Sequence, residues 1–148
     1  MRWLLRNAQG RDEATVRGLL DACGLSSLGL EEQFDGGYVV AEQDGQIAGV
    51  AGIEVHGAHA LLRSLAVLPS RRDAGLGAEL VHNRIRWARQ QGIESIYLLT
   101  TTASEFFVRH GFEISSRDEA PDEIRSSKEF SEMCPSTAVF MKLARGGA

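Results

Sequence analysis

Apolar runs in the first half of the chain predict strands that pair as an antiparallel meander. Four runs read as strands: residues 2–7, 38–42, 46–55 and 60–68. The second and third are separated by Gln43, Asp44 and Gly45, and an Asp-Gly pair between apolar runs is typical of a tight hairpin. The fourth run ends at Pro69, because proline cannot donate to a strand ladder. The last three runs are therefore expected to be neighbours in one sheet.

Helices are predicted where apolar residues recur every three or four positions. Residues 12–22 carry Val16, Leu19 and Leu20 behind an acidic start, and residues 75–91 form a longer amphipathic stretch that Gly92 ends. The elements expected afterwards are a strand at 93–100, a helix at 101–110, a short helix near 127–133 and a final strand at 138–143. Residues 24–37 are expected to be a short helix or ordered loop that borders a substrate site.

The order of these elements specifies a fold class. A strand meander followed by alternating helices and strands predicts an α/β fold, in which helices flank one mixed, mostly antiparallel sheet. No internal repeat or linker divides the sequence, so residues 1–148 are expected to form a single domain.

Composition and charge exclude several classes of function. The 148 residues are 43% hydrophobic and 24% charged, and the formal net charge of −4 gives no basic footprint for nucleic acid. No apolar stretch suits a signal peptide or a membrane span, so we expect a cytoplasmic protein without nucleic-acid or membrane partners. Cys23 and Cys134 lie far apart and the four histidines lack ligand spacing, so no metal site is predicted.

The segment 61–80, L-L-R-S-L-A-V-L-P-S-R-R-D-A-G-L-G-A-E-L, is the most informative for chemistry. In it a strand leads to a turn containing Gly75 and Gly77, which opens the long helix. Successive amides at such a turn, together with the positive end of the helix dipole, favour phosphate oxygens. The glycines would let an anionic ligand approach the backbone closely. Spacing alone leaves a second interpretation open, in which the glycines only cap the helix.

Two motifs in this order resemble the GNAT superfamily of N-acetyltransferases. Residues 72–77, R-D-A-G-L-G, are similar to its acyl-CoA signature R/Q-x-x-G-x-G/A, which follows a strand ending in V-x-P, as 67–69 does here. A-S-E-F-F at 103–107, followed by G-F-E at 111–113, resembles the family's A-x-x-F/L-Y-x-x-x-G-F/Y signature. The resemblance implies the GNAT fold, acetyl-CoA as cosubstrate and transfer of acetyl to an amine. It leaves a homodimer open as an alternative to a monomer.

The resemblance also assigns an acetyl-CoA site. It implies that consecutive backbone amides hold the CoA pyrophosphate: Asp73, Ala74, Gly75, Leu76, Gly77 and Ala78. Backbone groups of Leu65 and Val67 are implied to contact the acetyl carbonyl and pantetheine, with the Leu65 amide polarising the carbonyl. Arg72 either adds a phosphate contact or is a solvated surface arginine. Phe107 stands where the family usually has a tyrosine that acts as general acid, so that acid is absent from the expected site.

The acceptor side of the expected site depends on Arg63 and Glu54. Strand alternation places Arg63, Leu65 and Val67 on one face, beside the acetyl group. The preceding turn pairs Glu54 with Leu61, so Glu54 shares this face and lies diagonal to Arg63. One interpretation is a structural ion pair. In the other, Arg63 binds an acidic acceptor and Glu54 draws a proton from the acceptor's ammonium group, directly or through water.

A wider pattern within residues 49–141 narrows the resemblance. L-L-R-S-L-A-V, I-Y-L-L-T-T-T-A-x-x-F-F and E-F-x-E-M-C-P-S-T-A-V-F-M resemble N-acetyltransferases encoded in bacterial arsenic-resistance operons. This implies an amino-acid-like acceptor, with an organoarsenical or phosphinate glutamate analogue as candidate. The alternatives are a glutamate or other amino-acid N-acetyltransferase, a protein N-acetyltransferase and a non-catalytic acyl-CoA-binding module. Cys134 either faces the substrate or is buried, and Thr100, Thr101 and Thr102 either cap a helix or line the ligand crevice.

Overall fold

The apolar runs form strands of a single sheet. A computed structural model describes residues 3–72, 74–127, 130 and 138–144. The strands in this part of the chain are β1 (Leu4–Asn7), β2 (Tyr38–Gln43), β3 (Gln46–His56), β4 (His59–Val67), β5 (Ser95–Thr100), β6 (Phe112–Ile114) and β7 (Val139–Leu143). Their order across the sheet is β1-β2-β3-β4-β5-β7-β6. The predicted α/β fold class is confirmed.

Among the described residues, helices lie in the predicted segments 12–22, 75–91 and 101–110, and a further short helix at 122–125 was not predicted. They are α1 (Glu13–Ala22), α2 (Phe34–Gly37), α3 (Leu76–Gln90), α4 (Ser104–Arg109) and α5 (Asp122–Arg125). The expected short helix or ordered loop at 24–37 contains a 3-10 turn, Leu30–Glu32, and the single kinked turn α2. The helix expected near 127–133 falls mostly outside the described residues. No helix in the described part of the chain has the length and apolar character that crossing a bilayer requires.

The predicted meander is confirmed in its register. Strands β2, β3 and β4 pair antiparallel in sequence order. Asp44 and Gly45 both have positive φ values, 54° and 76°, as a two-residue hairpin turn requires. Strand β6 was not predicted, because its three residues give too short an apolar pattern and Glu113 and Ile114 are exposed.

Helices α1 and α3 cover opposite faces of the sheet. Val16 and Leu20 of α1 are buried with Tyr38, Val40 and Val50 of β2 and β3. On the other face, α3 buries its apolar stripe against the sheet: Leu76, Leu80, Val81, Ile85 and Ala88. Gly92, with a φ of 80°, ends this helix as predicted.

A bulge in β4 corrects one prediction from strand alternation. Arg63 pairs with Gly52 and Ala66 pairs with Val50, so two residues of β4, Ser64 and Leu65, stand opposite the single residue between Gly52 and Val50. A bulge of this kind breaks the alternation of side chains along the strand. Leu65 accordingly packs with the clusters on the α3 side, whereas Leu61 packs with Ile124 on the other face.

The expectation that Arg63 shares one face with Leu65 and Val67 is therefore wrong. Alternation holds up to Arg63, and the extra residue then moves Leu65 and Val67 to the face that α3 covers. The alternation breaks because Ser64 has a positive φ of 61°. The sequence Leu-Arg-Ser-Leu contains no signal for this conformation.

Candidate active site

The candidate site lies where two parallel strands part. Strands β4 and β5 pair over only three positions, from His59 and Ser95 to Leu61 and Tyr97. Beyond this point their residues 62–67 and 98–100 line a cleft of about 790 Å³. Because pairing with β5 ends there, backbone groups on that edge of β4 face the cleft instead of another strand. This separation of β4 and β5 after Leu61 and Tyr97, called the fork below, exposes peptide groups in the middle of the sheet.

The amino end of α3 opens into the same cleft. Gly75 precedes the helix with a φ of 87°, a conformation that glycine adopts without steric cost. Leu76, Gly77 and Ala78 follow it in the cleft lining, and amides in the first turn of a helix have no partner within the helix. The glycine turn therefore brings the amino end of α3 to the cleft, and the sequence predicts an anion site at this turn. Ala74 is exposed and lies outside this lining, and Asp73 falls outside the described residues.

The charged side chains in the described lining of the cleft are positive. Its described lining contains no Asp or Glu, but it contains four arginines: Arg63, Arg71, Arg72 and Arg109. A cleft lined by charges of one sign concentrates ligands of the opposite sign. The arrangement suits a ligand that carries several negative charges.

Two of these arginines are fixed by neighbouring groups. Arg72 Nε donates to the carbonyl oxygen of Val67 across 3.1 Å, and its Nη2 lies 3.4 Å from the Sγ of Cys23. Arg71 Nε donates to the side-chain oxygen of Gln43 across 2.5 Å. Arg72 is thus an exposed arginine of the cleft with its Nε tied to β4. Sequence reasoning missed Arg71, although the adjacent arginine pair before the glycine turn was a visible signal.

Leu65 and Val67 both line the cleft. Val67 is the last residue of β4, and its carbonyl accepts the hydrogen bond from Arg72. Leu65 is the second residue of the bulge and lies on β4 beyond the point where its pairing with β5 ends. Both residues thus line the same cleft as the turn before α3. Their side chains lie on the face opposite to the one expected from strand alternation.

Glu54 and Arg63 form a buried ion pair beside the fork. Arg63 Nη1 donates to Glu54 Oε2 across 2.6 Å, and the two side chains expose 1% and 6% of their surfaces. The predicted pairing of Glu54 with Leu61 is confirmed and explains why the two side chains meet. Arg63 borders the cleft, whereas Glu54 does not line it.

Glu54 is held in its ionised form. Burial alone would raise the pKa of its carboxyl, but the hydrogen bond from His56 and the charge and hydrogen bond of Arg63 outweigh burial and hold the pKa below its ordinary value. His56 Nε2 lies 3.1 Å from Glu54 Oε1, and it must be the donor because an ionised carboxylate only accepts. A low pKa makes Glu54 a weak proton acceptor. These contacts favour the structural interpretation of the pair.

The second motif forms the far wall of the cleft. Phe107 is buried against Phe112, with ring centroids 5.7 Å apart, and offers no hydroxyl group to the cleft. Thr100 Oγ1 accepts a hydrogen bond from the Ala103 amide across 3.0 Å, so it caps the turn before α4 as well as lining the cleft. Thr101 and Thr102 line the cleft beside it.

The cleft lining includes His110, which the sequence did not predict, and residues 23–26. His110 lines the cleft, and its Nδ1 lies 3.2 Å from Nε2 of His82 on α3. Burial, with the charges of His82 and Arg109, lowers the pKa of His110, so this ring is neutral at neutral pH. Residues 23–26, after α1, border the cleft as the sequence suggested for the following loop.

The described residues contain no group of three or more His, Cys, Asp or Glu side chains that could hold a metal ion. Cys23 is a free cysteine in the cleft lining, and Cys134 lies outside the described residues.

Comparison with known proteins identifies the family. A model of the Acetyltransferase (GNAT) family matches residues 6–112, which include the fork, the α3 turn and the α4 motif. The chain belongs to the GNAT family. The identification that the two sequence motifs suggested is confirmed, and the cleft of this GNAT domain is its candidate active site.

Relatives of this GNAT domain include larger enzymes. The amino-acid acetyltransferase of Neisseria meningitidis serogroup A is 32% identical over 87 residues, which cover 57% of this chain and 20% of that protein. The N-acetylglutamate synthase of Neisseria gonorrhoeae, solved with coenzyme A and N-acetyl-glutamate, is 26% identical with a TM-score of 0.81, covering 98% of this chain and 36% of that one. Rv2747 of Mycobacterium tuberculosis, solved in complex with CoA, shares the fold at 23% identity and a TM-score of 0.80, covering 96% and 99%. The chain therefore spans only about a fifth of the Neisseria meningitidis relative.

Proposed function

We propose that this GNAT domain is an acetyl-CoA-dependent N-acetyltransferase that acts on the amine of a small, acidic, amino-acid-like molecule. The observation that carries the proposal is the cleft, whose described lining has four arginines and no Asp or Glu and receives the amino end of α3. The synthase with a TM-score of 0.81 was solved with coenzyme A and an acetylated amino acid, which supports both halves of the proposal.

The residues present fit acetyl-CoA. We assign the pyrophosphate to the amides from Gly75 to Ala78, with Asp73 and Ala74 as further candidates from the sequence. Helix amides and the helix dipole stabilise phosphate charge, and Arg71 and Arg72 stand at the same end of the cleft. A Cβ at Gly75 would meet no atom within 4 Å, so the turn leaves room for a ligand.

Transfer is proposed to be direct. The neutral amine attacks the thioester carbonyl carbon, and the carbonyl oxygen gains negative charge against the Leu65 amide. The attacking nitrogen then loses a proton to water, and the C–S bond breaks to release the neutral amide and CoA as a thiolate. An amide placed before the reaction stabilises this oxyanion without reorganising. Phe107 cannot protonate the leaving group, and a thiolate is stable enough to leave without an acid. No covalent intermediate on the protein is required.

Deprotonation of the acceptor is the step for which the described cleft lining supplies no carboxylate. No Asp or Glu lines its described part, and Glu54 lies behind the wall with a lowered pKa. We infer that the ammonium group loses its proton to water and that Glu54 serves to hold Arg63. Direct proton transfer to Glu54, suggested from the sequence, is the alternative that a pH profile decides.

Arg63 is the candidate for recognition of an acidic acceptor. Its guanidinium is bonded to Glu54 and is 1% exposed, so contact with an acceptor carboxylate requires it to exchange Glu54 for that carboxylate. His56 would keep Glu54 hydrogen-bonded during the exchange. A planar guanidinium suits a carboxylate, phosphinate or arsinate better than an ammonium does.

The acceptor itself is proposed from similarity. The amino-acid acetyltransferase of Neisseria meningitidis supports glutamate or another amino acid. The resemblance to arsenic-resistance N-acetyltransferases keeps an organoarsenical or phosphinate glutamate analogue as a candidate of the same acidic class. A protein amine is the remaining enzyme alternative, and a homodimer is the alternative to a monomer.

A thiol-release screen tests the proposal. Acetyl-CoA is incubated with the protein and a panel of glutamate, other amino acids, phosphinates, organoarsenicals and a lysine peptide, and free CoA is measured. We expect release with acidic amino-acid-like amines and a much slower rate with the peptide. Saturable acetyl-CoA binding with no release on any member of the panel would instead identify a binding module.

A further inference from the structure

Ser64, in the wall of the cleft, has a backbone conformation that residues with a side chain seldom adopt. Its φ is 61°, and it belongs to the bulge at which two residues of β4 oppose one of β3. Such a conformation persists only where surrounding contacts hold it. The contacts around Ser64 therefore decide how the backbone continues to Leu65.

Two side chains converge on the Ser64 hydroxyl group. The hydroxyl of Tyr38 lies 3.0 Å from Ser64 Oγ, and Arg63 Nε donates to the same oxygen across 3.2 Å. Tyr38 belongs to β2, which is separated from β4 by β3. A side chain of one strand thus reaches over a second strand and contacts a side chain of a third.

Gly52 makes this reach possible. Tyr38, Gly52 and Arg63 are register partners across β2, β3 and β4, so their side-chain positions share one face of the sheet. A Cβ at Gly52 would overlap the phenol ring of Tyr38. The ring therefore crosses β3 at the one position of this row that has no side chain.

The packing of Tyr38 and its hydroxyl contact are separate features. Tyr38 is 1% exposed, and its ring centroid lies 5.2 Å from that of Phe34, within the cluster that α1 covers. A phenylalanine would satisfy that packing equally. Only the hydroxyl distinguishes tyrosine from phenylalanine at this position. It contacts Ser64, which lies 26 residues further along the chain.

We propose that Tyr38 is a positioning residue for the acetyl subsite: its hydroxyl, through Ser64, fixes the β4 bulge that orients the backbone at Leu65. The consequence for catalysis rests on the proposed function, whereas the dependence of the bulge on Tyr38 does not. Bulges re-aim the groups that follow them, and small misplacements of groups at a reacting centre are costly in rate.

Tyr38→Phe is the first variant of the test. It keeps the ring and removes the hydroxyl, and we expect kcat to fall about tenfold while the Kd for acetyl-CoA changes less than about twofold, because the α3 turn is unaltered. The Leu65 amide signal in a ¹H–¹⁵N spectrum should shift at the same time. This signal can be read even where no acceptor is turned over, so failure of the proposed function and failure of this inference are distinguishable.

A pair of substitutions at Ser64 separates the hydroxyl from the backbone. Ser64→Ala removes the hydroxyl but keeps a Cβ in the left-handed region, whereas Ser64→Gly removes the hydroxyl and adopts that region without strain. We expect the Ala variant to lose more kcat than the Gly variant. We also expect Tyr38→Phe to have little further effect on kcat or on the Leu65 amide in the Ser64→Gly background.

Two outcomes would overturn the inference. Equal effects of Tyr38→Phe in the wild-type and Ser64→Gly backgrounds would show that the Tyr38 hydroxyl does not act through the Ser64 hydroxyl. An unchanged Leu65 amide signal in folded Tyr38→Phe would show that the bulge holds itself. Gly52→Ala, which displaces the ring, should reproduce the shift seen for Tyr38→Phe if the inference is right.

Discussion

Glu54 and Arg63 bond across 2.6 Å beside the point where β4 and β5 part, and each side chain is more than nine-tenths buried. Arg63 lines the candidate active site, and Glu54 lies behind this lining. The sequence suggests that Glu54 accepts a proton and that Arg63 binds the acceptor. Substitution of each residue tests its role separately.

Glu54→Gln keeps the shape of the pair and removes its charge. Loss of one partner of a buried ion pair costs about 3 kcal/mol or more, so the variant should unfold at lower urea concentration at pH 7. Because the folded-state pKa of Glu54 is lowered, its contribution is present above the ordinary carboxyl pKa and is lost as the pH falls through the lower folded value. The stability gap should therefore close in acid.

The pH profile of the same variant addresses the proton acceptor. If Glu54 only holds Arg63, kcat/KM for the acceptor falls in Glu54→Gln but the profile keeps its shape and follows the pKa of the acceptor amine. Disappearance of an ionisation from the profile would identify Glu54 as the general base.

Arg63→Lys tests acceptor recognition. Lysine keeps the charge but loses the planar fork, so kcat/KM for an acidic acceptor should fall about tenfold or more while the KM for acetyl-CoA changes little. Arg86→Lys is the matched control, because Arg86 is exposed on α3 and does not line the cleft. A folded Arg63→Lys enzyme with wild-type acceptor kinetics would reduce Arg63 to a structural partner.

Gly77→Trp tests the placement of the pyrophosphate. A Cβ at Gly77 would lie 3.6 Å from Phe106, so the helix accepts a side chain there, but an indole would project into the cleft. We expect the KM for acetyl-CoA, measured by initial rates, and its Kd, measured by calorimetry, to rise about tenfold or more. Gly18→Trp on the exposed face of α1 is the control. Unchanged acetyl-CoA binding in folded Gly77→Trp would move the site elsewhere.

Asp12→Asn provides a test that is independent of function. Asp12 pairs with Arg6 across 2.8 Å and accepts from the Gln9 amide, and the hydrogen bond from Arg6 is the main cause that lowers the pKa of Asp12 to about 2. The variant should lose about 1–2 kcal/mol of unfolding free energy at pH 7. Since the folded pKa is depressed, that loss should vanish as the pH falls through about 4 to about 2.

The control for Asp12 is an exposed ion pair. Glu13 pairs with Arg17 four residues along α1, and about a third of each side chain is exposed. Glu13→Gln should change the unfolding free energy by less than about 0.5 kcal/mol. An equal effect of both variants would mean that burial of Asp12 contributes nothing.

The features that were predicted correctly from the sequence depend on local signals. The Asp44-Gly45 turn and the flanking apolar runs fix the β2–β3 hairpin, and the β3–β4 turn fixes the pairing of Glu54 with Leu61. That register was enough to predict the contact with Arg63. The glycine turn before α3 was equally visible, because its geometry is set by residues close together in the chain.

The features that were missed depend on contacts between distant residues. The bulge at Ser64 is stabilised by Tyr38, and Tyr38 reaches it only because Gly52 lies between them in the sheet. No pattern within one strand encodes such an arrangement. The short edge strand β6 gave no periodic signal, and Arg109 and His110 reach the cleft only through the packing of α4.

The most direct test of the central claim is the mass of the acceptor after incubation with acetyl-CoA and the protein. We predict that an acidic amino-acid-like amine gains the mass of one acetyl group, with one free thiol released per product and no acetyl group left on the protein. Acetyl-CoA that binds while every acceptor keeps its mass, or acetyl groups that appear only on protein lysines, would contradict a small-molecule N-acetyltransferase.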